Sequence, residues 1–165
     1  MPRKKKKIET TVVIKKNLQR RQPKNDYLKY YRVVRYWAKR KYNLKDQDLE
    51  ILFFVATERL FSKTEFENYA SVFSWNKNRF KNLLRDGWIQ SFRNAEGGLH
   101  ALYEATFKTR RMLDTFYKLL NGEQGFPVDP RNNPVFKRET YTDKVMAHQM
   151  LSINKKFKDS LPSIK

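Results

Sequence analysis

Asn78, Lys81, Asn82 and Arg85 fall three, one and three residues apart in the segment 74–87. On a helix turning about 100° per residue they lie on the face away from Phe80, Leu83 and Leu84, the apolar positions of the same segment. An asparagine amide pairs with adenine through two hydrogen bonds, an arginine guanidinium does the same with guanine, and a lysine ammonium reaches guanine or phosphate. That is the chemistry of reading base edges in a DNA major groove. Ser74 and Trp75 at the start of the segment, and Lys77 and Arg79 on its flanks, suit contacts to the DNA backbone. The plainer alternative is a solvated helix face, with Trp75 packed back against the first helix.

A reading face needs a helix fixed at both ends. The spacing predicts one over 75–86, capped by Ser74 and closed at Gly87. Ahead of it, Ser62 and Glu65 fit a capping box, and Phe61 and Phe66 fit the hydrophobic staple around it. A helix therefore starts at Ser62 and buries Phe66, Tyr69, Ala70 and Phe73. After Gly87, the apolar residues Trp88, Ile89 and Phe92 lead to a turn over 94–98, and Leu99, Ala101 and Tyr103 form the return strand. Arg93 and His100 are the hairpin side chains placed to meet DNA, while the tip carries Glu96 and two glycines. Two helices followed by such a hairpin predict a winged helix-turn-helix.

Further helices frame this unit. From Asp26, Tyr27, Tyr30, Tyr31, Val34, Trp37 and Ala38 recur along one face, with Lys29, Arg32, Arg35, Lys39 and Arg40 on the other, for phosphate or for water. A second helix follows Asn43-Leu44, burying Leu49, Leu52, Phe53, Ala56 and Leu60. Its Asp46, Asp48 and Glu50 suit the positive helix end better than a metal ion. Beyond Thr106 a helix carries Thr109, Leu113, Phe116, Tyr117 and Leu120 and closes at Asn121-Gly122. Residues 123–139 hold Pro127, Pro130 and Pro134 and read as an ordered crossing loop. A last helix over 140–160 has Met146, Met150, Ile153 and Phe157 in a stripe widened by Val145 and Leu151. Its partner is the chain's own first helix, a second subunit, or both.

Composition narrows the function. The 165 residues hold 36 Lys and Arg against 17 Asp and Glu, a net charge of +19 that favours a polyanionic partner. Residues 1–25 contribute +9 of it, from ten basic residues and Glu9, and predict a flexible polybasic arm in which Lys4, Lys5, Lys6 and Lys7 touch phosphates or simply confer solubility. The stretch 10–14 is β-branched and is read as part of that extended arm. Absence of cysteine excludes disulfides, zinc ribbons and thiol catalysis. The longest apolar run, 51–56, is far below the roughly 18 residues of a membrane span. An intracellular setting is expected: cytoplasm or nucleoid, nucleus in a eukaryotic host, or a virion. The two histidines, His100 and His148, are far apart, and no phosphate-binding glycine loop or nucleophile motif occurs, so no catalysis, cofactor or metal is expected.

Tyr42-Asn43-Leu44 leading into Leu49 and Leu52, the stretch 62–73, Leu83 with Asp86-Gly87-Trp88-Ile89, and Ala105-Thr106-Phe107-Lys108-Thr109-Arg110 together resemble the MarR family of winged-helix transcription regulators. The resemblance covers about residues 26–122. Lys45 stands where that family usually has a Ser or Thr cap, Thr109 where it has glycine, and the hairpin lacks the family's acidic and arginine pair. The resemblance implies a mainly α fold with a small β-hairpin wing, and a homodimer whose first and last helices, the latter over 140–165, interlock. Its two recognition helices would read half-sites of a pseudo-palindrome in double-stranded DNA. Family members often bind small phenolic effectors, but no residues here specify such a pocket. The expected function is a dimeric, sequence-specific repressor. The alternative is an architectural or virion-associated protein that coats or packages nucleic acid without strong base preference.

Overall fold

The computed structural model describes residues 27–160. The expected arm over 1–25, with Lys4 to Lys7 and the stretch 10–14, lies outside the described residues, as does the Lys29 side chain. The described chain is mainly helical with a small antiparallel sheet. In order it forms α1 (Tyr27–Tyr42), α2 (Asp46–Thr57), β1 (Phe61–Ser62), α3 (Lys63–Val72), α4 (Arg79–Arg85), β2 (Ile89–Arg93), β3 (Leu102–Ala105), α5 (Phe107–Asn121), a 3₁₀ turn (Pro134–Lys137) and α6 (Tyr141–Ser160).

Local signals set most of the helix ends. Ser62 Oγ accepts the Glu65 N–H at 3.2 Å while Glu65 Oε2 accepts the Ser62 N–H at 2.6 Å, which is the expected capping box. Gly87, at φ +72°, ends α4 with its own N–H on the Leu84 carbonyl and the Trp88 N–H on the Leu83 carbonyl, so the last carbonyls of the helix are satisfied. Gly122 closes α5 in the same left-handed conformation, as expected.

The sheet has the strand order β1-β3-β2. Ile89 pairs with Ala105 and Ser91 with Tyr103, but Arg93 pairs with Leu102, so one residue is extruded at Phe92. Phe92 is 58 % exposed. The third strand, β1, pairs Phe61 with Tyr103 and is not expected from the sequence, where its two residues serve only as helix-capping signals.

The core lies where α1, α2 and α5 meet above the sheet. Val34, Trp37 and Ala38 of α1 are fully buried, as are Ile51 and Leu52 of α2 and Met112 of α5, with Phe116 nearly so. Phe116 forms T-shaped ring pairs with Tyr31 and Phe53, with centroids 6.2 and 4.8 Å away. Each fully buried large apolar side chain contributes about 1.5–3 kcal/mol. Tyr27, Leu60, Phe73, Leu84 and Tyr117, expected on buried faces, are exposed. Tyr117 turns about 100° away from the buried Phe116, and Leu60 lies past the end of α2.

On the cationic face of α1 Arg32 is exposed, whereas Arg35, Lys39 and Arg40 are engaged in ion pairs. Asp46 takes Arg35 and Lys39 at 2.7 and 2.6 Å, and these bonds, that from Lys39 foremost, hold its carboxyl below the usual range despite partial burial. Arg40 reaches across to Asp143 at the start of α6. Residues 123–139 are ordered by the buried Asn133, whose amide donates to the Pro127 carbonyl and accepts the Val135 N–H. Asn154 of α6 brackets the backbone of Phe126 through both its amide atoms. α6 therefore docks on its own chain along Asp143, Ala147 and Met150, leaving Val145 and Leu151 of the expected stripe outside.

Candidate nucleic-acid interface

The exposed polar side of α4 is held by α3, by α2 and by the hairpin. Between α3 and α4 the chain makes a tight turn. The Phe73 N–H bonds the Tyr69 carbonyl, the Trp75 N–H bonds the Ala70 carbonyl, and Ser74 between them has φ +56°. This geometry overturns two expectations. Ser74 caps no helix; its carbonyl accepts a bond from Gln47 Nε2 at 3.4 Å, and Gln47 Oε1 in turn accepts the Asn76 N–H at 3.3 Å. Trp75 does not face outward toward a DNA backbone; it is 8 % exposed, stacked on Phe73 and Phe66 and edge-on to Phe54. Burying an indole against three rings removes far more apolar surface from water than an outward position allows.

The expected helix over 75–86 is accordingly shorter. Residues 76–78 form a turn in which Asn76 Oδ1 accepts the Asn78 N–H at 2.9 Å, and regular helix begins only at Arg79. Asn78 becomes the residue that precedes α4, with exposed side chain, and Lys77 and Lys81 are exposed beside it. Arg85 is also exposed but bonds its neighbour Asp86 at 2.9 Å, a contact that keeps its guanidinium firmly protonated. Arg79 is mostly covered and lies 3.4 Å from Asp48 of α2. Its charge is therefore directed inward, away from the flank on which the sequence places it.

Arg93 and His100 do come together. Arg93 Nη2 donates to the His100 carbonyl at 3.2 Å across the hairpin, and both border a shallow cleft with Ser62, Thr64 and Glu65 at the start of α3. At the far end of the hairpin Glu104 accepts bonds from Gln90 and Arg110 at 2.8 and 2.7 Å, and these bonds, that from Gln90 foremost, lower its carboxyl.

Asn82, expected among the outward residues, is half-buried and lines a cavity behind α4 instead. This cavity, of about 570 Å³, opens between the α1–α2 connection, the C-terminal half of α4 and the first turn of α5. Lys45, Arg79, Arg85 and Lys108 border it, against the carboxylates Asp48 and Asp86. Lys45 and Lys108 are absent from the site expected on sequence grounds. Their one signal is position: Lys45 replaces a helix-capping residue, and Lys108 stands in the Thr-x-Lys-x-Arg piece before α5. Thr109, where the resemblance expects glycine, is buried and donates through Oγ1 to the Trp88 carbonyl, tying α5 to the corner between α4 and β2.

Among the described residues no group of three acidic or histidine side chains is arranged to hold a metal ion, and no helix is long and apolar enough to cross a membrane. Asp46 and Asp48 instead face the cations described above. No family model, curated protein or solved structure gives a significant match to this chain.

Proposed function

We propose that the chain is a DNA-binding protein of MarR-like winged helix-turn-helix form, acting as a dimeric sequence-specific regulator that represses by occupying its operator. One observation carries this reading: Asn78, Lys81 and Arg85 stand exposed on one side of a short helix that follows a capped helix and precedes an antiparallel hairpin, in a chain of net charge +19. The antiparallel β2–β3 hairpin directly after α4 supports this reading. Arg93 and His100 on the hairpin, with Lys77 before α4, supply backbone contacts beside the reading face. The arm over 1–25 adds sequence-independent affinity through counterion release.

The proposed homodimer uses the outer sides of α1 and α6. Leu28 on α1, and Tyr141, Val145 and Leu151 on α6, are large, apolar and exposed. The second reading, an architectural or virion-associated protein, draws on a specific observation: Asn82 turns into the cavity and Arg85 bonds Asp86, so that Asn78 and Lys81 are left as the unengaged reading side chains. Weak base preference follows from so small a reading set.

Selection from random-sequence duplex DNA at about 150 mM salt, where sequence-independent attraction is weakened, separates the two. A two-fold symmetric motif supports the dimeric regulator. Retained binding with no motif supports the architectural protein, and loss of duplex binding at both 50 and 150 mM salt refutes both.

A further inference from the structure

We propose that the cavity behind α4 binds a small phosphate monoester of mononucleotide size. The volume of about 570 Å³ lies within the roughly 300–1,000 Å³ typical of small-molecule sites. Its charge is unbalanced. Arg79 is paired with Asp48 and Arg85 with Asp86, which leaves the ammonium groups of Lys45 and Lys108 with no carboxylate counter-ion among the cavity residues. Lys108 Nζ is fixed by the Asp86 carbonyl at 3.1 Å and the Trp88 ring at 3.9 Å, contacts that position its charge without neutralising it. A dianionic phosphate matches two spare cations in charge and accepts hydrogen bonds from both.

A second observation bears on the same imbalance of charge. Asp48 is 7 % exposed and lines the cavity, and its Oδ1 accepts no hydrogen bond, although Arg79 Nη1 lies at 3.4 Å. That oxygen has no surface open to the cavity, so its charge is answered by Arg79 within the protein and does not offset Lys45 and Lys108. Tyr42, Asn43 and Asn82 add neutral polar groups around the same space. The site shares Arg85 with the proposed reading face, but its spare cations, Lys45 and Lys108, are not part of that face.

The test is calorimetric titration of the full chain with AMP, adenosine and inorganic phosphate at about 150 mM salt, a strength that weakens non-specific attraction to so basic a protein. A parallel titration uses a 20-base-pair duplex, whose phosphates are diesters. AMP is expected to bind one per chain and at least about tenfold more tightly than adenosine. The double variant Lys45→Gln/Lys108→Gln should lose about tenfold or more of the AMP affinity, as removal of two charge-assisted contacts implies. Lys137→Gln/Lys144→Gln, which removes two exposed charges outside the cavity, should leave AMP binding unchanged. The single variant Lys45→Gln, which leaves the Trp88 contact intact, gives the same readout at lower risk to folding. Equal binding of adenosine and AMP, no binding at 5 mM AMP, equal losses in both double variants, or a loss confined to the duplex overturns the proposal.

Discussion

Lys108 lies over Trp88 with its ammonium 3.9 Å from the ring centroid, while the same ammonium bonds the Asp86 carbonyl at the C-terminal end of α4. One side chain from the first turn of α5 thus covers the indole under the corner between α4 and β2 and places a cation at the negative end of α4. Lys108→Met keeps the length of the stem and removes the charge. It should destabilise the fold by about 0.5–1 kcal/mol in urea denaturation. No change in the urea midpoint would show that the interaction is idle.

Asp143 carries the attachment of α6 to α1. It is 0 % exposed and accepts bonds from Tyr36 Oη at 2.9 Å, Arg40 Nε at 3.1 Å and Nη2 at 3.0 Å, and the Thr140 N–H at 3.1 Å. Burial pushes its carboxyl up, but the bonds from Tyr36 and Thr140 and the charge of Arg40 outweigh burial and hold it below the ordinary value. A carboxyl lowered in the folded state stabilises above its unfolded pKa, about 3.9, and that contribution fades as the pH falls through the folded value. Asp143→Asn should therefore cost about 2–4 kcal/mol at pH 7, less than for a fully buried partner because Arg40 is a third exposed. The gap in urea stability between the variant and the parent should narrow below pH 4; a gap constant from pH 7 to pH 3 would contradict the electrostatic account.

Trp75 separates a structural from a DNA-contacting role. Its ring packs among Phe54, Phe66 and Phe73. Trp75→Ala should cost about 3–5 kcal/mol of stability, and Trp75→Phe much less. If Trp75→Phe folds with near-parental stability yet loses several-fold in duplex affinity, the indole touches DNA after all.

The same residue shows where local pattern stops being informative. The capping box at Ser62 and Glu65 and the glycine stop at Gly87 are legible in the sequence because every partner lies within a few residues. Trp75 is not, because its wheel position assumes a helix running from 75, whereas the helix begins at Arg79. That delay is set by Ser74 at positive φ and by Gln47, 27 residues earlier, which clamps the turn from α2. Long-range ion pairs are equally invisible. Arg40 and Asp143 are 103 residues apart, and no spacing rule joins them. Within the candidate site, Asn78, Lys81 and Arg85 are exposed as the wheel implies, but Asn82 and Arg79 turn inward because α2 and α5 present Asp48 and a cavity on that side.

If α4 reads bases, its side chains and the arm must fail differently. Asn78→Ala and Lys81→Ala remove groups that bond no other side chain among the described residues, so any loss on DNA reflects interactions made there. Each should cost about 1–3 kcal/mol on the preferred duplex and little on a random one. Arg85→Ala should cost less than an unpaired arginine would, because guanine must first compete with Asp86 for the guanidinium. Deleting residues 2–24 should instead weaken all duplexes about equally and flatten the salt dependence, by about 0.9 in the logarithmic slope for each phosphate that the arm no longer neutralises. Fluorescence anisotropy on one preferred and one scrambled duplex, over a salt series, reads both effects. Equal losses on both duplexes for the α4 variants would take base reading away from this helix and leave the backbone-coating reading in its place.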